Sequence, residues 1–293
     1  MAEKNKIENL RSLSQIFSNS NFQKIVRKRD YYQTIYRINK HTNLDPNLKN
    51  QEALEIIYRA LIKLYKNEYV YKNILINKLL LKKYSLATTV SFNEFKIGDS
   101  ISDFVMLNGE ARVYEIKTEL DKLDKIEKQI EDYQKFGNKI YVVAHQSHIP
   151  KLLDLYSQSE IGIIELTKRN ALKEIKGASE SKLLEIETLF KTLRKDEYLE
   201  IILKYYGSIP NVPNTLIFRE CMALSKRIPI LEFQKLVIEV LKKRTISNPE
   251  ILLSEEVPQS LKHICYNLDL SKREYHQLST FLNLKINQCI FHT

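Results

Sequence analysis

The chain has 293 residues, 43% of them hydrophobic, enough to bury a core as one large domain or two moderate ones. Its 46 Lys and Arg against 36 Asp and Glu give a formal charge of +10, which favours an anionic partner but is also what a Lys-, Asn- and Ile-rich coding bias leaves behind. Cys221, Cys265 and Cys289 are too few and too irregularly spaced for a disulfide framework, six glycines without a Gly-rich phosphate loop argue against an ATPase, and no apolar run reaches the length of a membrane span.

A cytoplasmic protein without membrane association is therefore expected, and the opening MAEKNKIENL has no apolar signal core. Residues 7–45 read as a helical lead-in that carries the basic cluster Arg27, Lys28, Arg29 and ends in a polar break at Pro46. From Gln51, Ala53, Ile57, Leu61 and Leu64 recur at helical spacing, and a second helix is expected from about Asn67 to Lys83. The pattern then changes. TTVSFNEFKI, SISDFVML and ARVYEIKT are short, rich in β-branched and aromatic residues, and parted by turn signals at Gly98 and Asn108-Gly109, which predicts a three-stranded meander. A helix from about Leu120 to Phe136, the strand KIYVVAH and an edge strand IGIIEL follow. After Lys176 only helices are expected: a long one over 180–206, then others from Leu216, Ile230 and Pro258, with Ser271 and Glu274 spaced as a capping box. The implied division is a helical arm over 1–50, an α/β (α+β) domain with a mixed central sheet flanked by helices over 51–177, and an all-helical domain over 178–293 that binds substrate or a protein partner.

Residues two apart in a strand share a face, so Glu115 and Lys117 point to one side and Tyr114 and Ile116 to the other. An isolated Glu-x-Lys is by default a surface ion pair of little value. Asp103 changes that weighing, depending on register. A two-residue turn at Asn108-Gly109 pairs Leu107 with Glu110 and sets Asp103 opposite Tyr114, on the wrong face. A three-residue turn, or a bulge near Asp103, brings Asp103 and Glu115 to one side, and this arrangement is expected. Two such carboxylates are hard oxygen ligands suited to Mg²⁺ or Mn²⁺, and a lysine beside them can orient water or stabilise a phosphate under attack.

Asp103 followed by Glu115-Ile116-Lys117, in a helix-β-β-β-α-β context, resembles the PD-(D/E)xK nuclease superfamily over roughly residues 50 to 170. The resemblance implies a restriction-endonuclease-like core, with Asp103 and Glu115 as metal ligands and Lys117 as the catalytic lysine; Ser102 stands where the motif's name has proline. Gln129 and Tyr133, four apart on the following helix, resemble the Gln-x-x-x-Tyr element of RecB-like exonuclease domains, an element that lies beside the active site. Without that resemblance the two read as a core tyrosine and a flanking glutamine. The run YEIKTELDKLDKIEKQIEDY is similar to a bacterial branch of the superfamily tied to mobile elements and phage conflict. Many members add an acid from the helix before the sheet; Glu68 fits that role ahead of Glu94, although an acid after Asn67 also suits a helix N-terminus. The expected function is a Mg²⁺- or Mn²⁺-dependent nuclease acting on DNA, and the alternative is a non-enzymatic nucleic-acid-binding or protein-interaction module on the same fold.

Weaker candidates complete the reading. His145 and His148 are expected at the rim of the site, and Glu119, Asp121 and Asp124 either near the metal or as acids complementing a helix dipole. His263, Cys265, Cys289 and His292 have the composition of a zinc site without its usual spacing. The interleaved RKRDYYQTIYR can stack bases and hold phosphates, although most of the chain's tyrosines are expected to be packing residues.

Overall fold

Six strands lie in one sheet in chain order: β1 Val90–Ile97, β2 Ser100–Leu107, β3 Ala111–Lys117, β4 Lys139–Ala144, β5 Gly162–Leu166 and β6 Leu172–Lys176. This is a computed structural model that describes residues 2–289. β1, β2 and β3 form an antiparallel meander, β3, β4 and β5 run parallel, and β6 returns antiparallel to β5, so the sheet is mixed. The first hairpin turns on Gly98 at φ 60, where a side chain is strained and a Cβ would come within 3.0 Å of Asp132 Oδ1. Each parallel step needs a crossover, supplied by the helices Ile126–Gln134 and Ile149–Tyr156.

Several boundaries differ from expectation. IGIIEL is an inner strand, because β6 pairs with it; LKEIK escapes a hydrophobic reading because it is a short edge strand with no buried residue and with Lys173 and Glu174 exposed. The helix expected over 180–206 breaks into Ile186–Lys191 and Lys195–Tyr206, and the one expected from Leu120 starts at Ile126.

The domain division also differs. Residues 87–167 and 171–245 form one unit, and residues 1–86, 168–170 and 246–293 the other. In the first, Val105, Val113, Ile130, Tyr133 and Val142 share one core with Leu189, Phe190, Phe233 and Val237, so helices expected in a separate domain cover the sheet. Gln234 stitches them to it, donating to the Phe136 carbonyl at 2.9 Å.

In the second unit the two ends of the chain fold together. Asn50 Nδ2 donates to the Phe281 carbonyl at 2.9 Å, Arg27 pairs with Glu274 at 2.6 Å, and Lys49 bridges Lys285. The expected N-terminal arm is thus part of a body closed by the C-terminal helices, a pairing over more than 200 residues that local periodicity cannot carry. The capping box forms: Ser271 Oγ accepts from the Glu274 N–H at 3.3 Å and Glu274 Oε2 from the Ser271 N–H at 2.8 Å.

His263 in this unit is buried against the edge of Tyr69, ring centroids 5.5 Å apart. Burial, aided by the Lys72 charge, lowers its pKa to about 3. The unfolded chain takes up a proton near pH 6.5 that the folded chain refuses, so stability is full above that pH. It should fall by about 1.4 kcal/mol per pH unit from there toward pH 3. Denaturant melts across that range should show the slope, and His263→Asn should flatten it; an unchanged profile would exclude His263 as the source.

Candidate active site

The β2–β3 ladder pairs Leu107 with Ala111, Met106 with Arg112, Val105 with Val113 and Phe104 with Tyr114. Three residues, 108–110, therefore make the turn, Gly109 taking φ 72, and the next step of the same register is Asp103 opposite Glu115. The arrangement expected from the sequence is the one that forms. Where the backbone ladder stops, the Asp103 carboxylate continues it: Oδ2 accepts the Ile116 N–H at 2.7 Å.

Glu115 and Lys117 are buried, with 2% and 8% of their surfaces exposed, so neither is a surface charge. Glu115 Oε1 accepts from Lys117 Nζ at 2.8 Å and Oε2 from the Tyr133 hydroxyl at 2.8 Å. Lys117 Nζ donates a second bond to Gln129 Oε1 at 3.0 Å. Gln129 and Tyr133 reach the strand because they lie one turn apart on the helix Ile126–Gln134. The five residues Asp103, Glu115, Lys117, Gln129 and Tyr133 are thus brought together at the C-terminal end of β3, the end at which open α/β sheets hold ligands.

The Tyr133 hydroxyl also lies 2.9 Å from the Ile101 carbonyl oxygen, so its one proton is divided between two acceptors. Burial first, then the Glu115 charge and hydrogen bond and the Asp103 charge, push its pKa far above the ordinary tyrosine value. Tyr133 stays a neutral donor. Glu115, buried, and Asp103, half-buried, set carboxyl oxygens beside Lys117, the kind of oxygen ligand that suits a hard cation.

Glu68 belongs to the other unit, where it opens the helix Glu68–Leu75 and pairs with Lys72 one turn on, the helix-terminus role its sequence position also allowed. Among the described residues no group of three His, Cys, Asp or Glu is placed to hold a metal. Glu94 stands opposite Asp103 in the β1–β2 register, between the pairs Asn93–Phe104 and Phe95–Ser102. It is exposed and its φ of 52 is left-handed, which breaks the strand's alternation and lets Phe92 and Phe95 stack on one face at 5.0 Å.

His145 and His148 lie against the end of β3: the His145 N–H donates to the Lys117 carbonyl at 2.9 Å, and His148 Nε2 lies 2.9 Å from the Thr118 carbonyl oxygen. Asp121 Oδ2 accepts from both the N–H and the hydroxyl of Thr118 at 2.7 Å, so it fastens the strand end, while Glu119 and Asp124 are exposed. His263, Cys265 and Cys289 are buried, and His292 lies outside the described residues. One site neighbour escaped the sequence reading. Asp132, beside Tyr133, is buried and accepts from Ser100 at 2.7 Å and Lys128 at 3.0 Å, with Lys135 at 3.6 Å. Burial raises its pKa, but these hydrogen bonds and charges outweigh burial and hold it below the ordinary value. Its lysine partners at i−4 and i+3 were the available signal.

No curated protein and no solved structure shows a significant match to the chain. Residues 62–267, more than half of the chain, match the family described as bacteriophage P4 protein cII, and that stretch runs through all six strands and the whole Asp103–Tyr133 network. The chain belongs to the bacteriophage P4 protein cII family.

Proposed function

We propose that this chain is a metal-dependent nuclease of the PD-(D/E)xK type, hydrolysing phosphodiester bonds in DNA in a phage or mobile-element setting. One observation carries the reading: the β2–β3 register sets Asp103 opposite Glu115, and Glu115 and Lys117 are buried and tied to Tyr133 and Gln129. A buried acid–lysine cluster is costly to desolvate unless it serves a ligand. The donor set fits Mg²⁺ or Mn²⁺, because Mg²⁺ is commonly held by one or two carboxylates, with water and substrate phosphate filling the remaining positions. When bound there by Asp103 and Glu115, the ion supplies an activated water and neutralises charge on the phosphate.

The chain's own residues do the rest. Tyr133 donates to Glu115 Oε2 and so fixes the carboxylate's rotamer, while Asp103 is held by the Ile116 N–H. Lys117 is bonded to both Glu115 and Gln129, so Gln129 would hold the ammonium beside the site as a point charge able to stabilise a phosphate. The bacteriophage name of the family supports the phage setting.

A second reading, a nucleic-acid-binding module without catalysis, draws on the same ion pair, since Lys117 already neutralises Glu115. Linear duplex DNA incubated with Mg²⁺, Mn²⁺ or EDTA separates the two. The wild type should cleave with metal and not with EDTA, and Asp103→Asn should lose at least about a hundredfold in rate, the scale of removing a preorganised electrostatic group. Salt-sensitive binding without cleavage under any metal would favour the module.

A further inference from the structure

Arg27, Arg29 and Arg273 line an open cavity of about 350 Å³ in the unit built from the chain ends, and none of them takes part in the acid–lysine site. The segment 27–31 runs along the helix Lys272–Asn283. Arg27 Nε donates to Glu274 Oε1 at 2.6 Å, Arg29 Nε donates to Gln277 Oε1 at 2.6 Å, and the Tyr31 ring packs on Phe281 at 4.9 Å. Gripping each guanidinium through Nε orients its plane and leaves terminal N–H groups for another acceptor. Arg29 holds its place at φ 55, a strained backbone for a residue with a side chain.

The charge balance is one-sided. Arg27, Lys28, Arg29, Lys272 and Arg273 face only Asp30 and Glu274 within these two stretches, and the Glu274 carboxylate is already taken by Arg27 and the helix cap. Three residues beyond Arg29, at most about 10 Å of chain, an aromatic strip begins. Tyr32, Tyr36 and Lys40 fall on one face of the helix Tyr32–His41; Tyr32 is 56% and Tyr36 45% exposed, their rings stacked 6.0 Å apart at 20°. Lys40 caps the strip, its Nζ 5.3 Å from the Tyr36 ring centroid and bonded to the hydroxyl at 3.0 Å.

Arginines around a cavity bind phosphate, and tyrosines standing in solvent give bases a surface to stack on. Only unpaired bases can reach such rings. We propose that this surface is a nucleic-acid site in its own right: the arginine cavity holds backbone phosphates of a single strand while Tyr32 and Tyr36 stack its bases. The proposal does not rest on the nuclease reading.

Fluorescence anisotropy of a labelled oligothymidylate in EDTA, where metal-dependent cleavage is silent, tests it across a salt series. Wild type should bind the single strand at least about tenfold more tightly than a duplex of equal length. Arg27→Ala with Arg273→Ala should reduce the salt slope by about 1.4, the value for two lost single-strand phosphate contacts. Tyr32→Ala with Tyr36→Ala should weaken binding about tenfold or more with the slope unchanged. All four positions are exposed, so the fold survives, and Lys151→Ala in the other unit controls for lost charge. Variants that bind like wild type, a duplex bound as tightly as the single strand, or no binding at low salt would each overturn the site. Absence of cleavage by the wild type under any metal, with this binding intact, counts against the nuclease alone, and lost binding with intact cleavage against this surface alone.

Discussion

Glu115→Ala is expected to destabilise the protein by about 3–5 kcal/mol as well as to abolish cleavage. Lys117 is 8% exposed and would be left as a buried ammonium with only Gln129 for company, and the Tyr133 hydroxyl would lose one of its two acceptors. Both losses fall on groups that cannot turn to water. Glu115→Gln keeps a Tyr133 acceptor but still strands the ammonium, so it should fall between wild type and alanine. Glu115→Gln combined with Lys117→Met removes the charge pair together and should recover most of the stability. Chemical denaturation of the four proteins gives the cycle, and additive losses would mean that the pair contributes nothing as a unit.

Lys117→Met is expected to bind Mn²⁺ more tightly than wild type, by about tenfold or more, while cleaving no DNA. The ammonium sits 2.8 Å from Glu115 Oε1 and so occupies the side of the carboxylate that a cation must use. Two unit charges at 4 Å interact by about 1–4 kcal/mol between water and a protein surface, so displacing the lysine takes a substantial part of the metal's binding energy. Methionine fills similar space without the charge. Calorimetric titration with Mn²⁺ should show the gain, and Asp103→Asn in the same background should remove it. If Lys117→Met binds Mn²⁺ no better than wild type, the ion and the ammonium do not compete for Glu115.

Much of this site was legible because its signals are local. Glu115 and Lys117 share a strand face by alternation, Gln129 and Tyr133 share a helix face by their spacing of four, and Asn108-Gly109 limits the turn to lengths that either pair Asp103 with Glu115 or part them. Asp132 was harder, since an aspartate following Glu131 on a helix reads as solvent-facing until Ser100 and the lysines are seen around it. Glu68 had two readings, an acid from the helix before the sheet and a helix-terminus acid; the pair with Lys72 and the place at the first position of its helix are seen only in the structure. The domain boundaries failed on range: nothing near Arg27 or Asn50 announces that Glu274 and Phe281 are their partners. β6 failed on composition, because a short edge strand of Lys, Glu and Lys with two apolar residues looks like a loop.

The central claim is that the Asp103–Glu115–Lys117 cluster hydrolyses DNA, and conversion of a circular plasmid tests it most directly. Wild type with Mn²⁺ should nick, linearise or, once an end exists, degrade the plasmid, or a linear copy of it, and EDTA or Lys117→Ala should stop the reaction. Intact circular and linear DNA after prolonged incubation with Mg²⁺ or Mn²⁺, or equal cleavage by Lys117→Ala, would contradict the account.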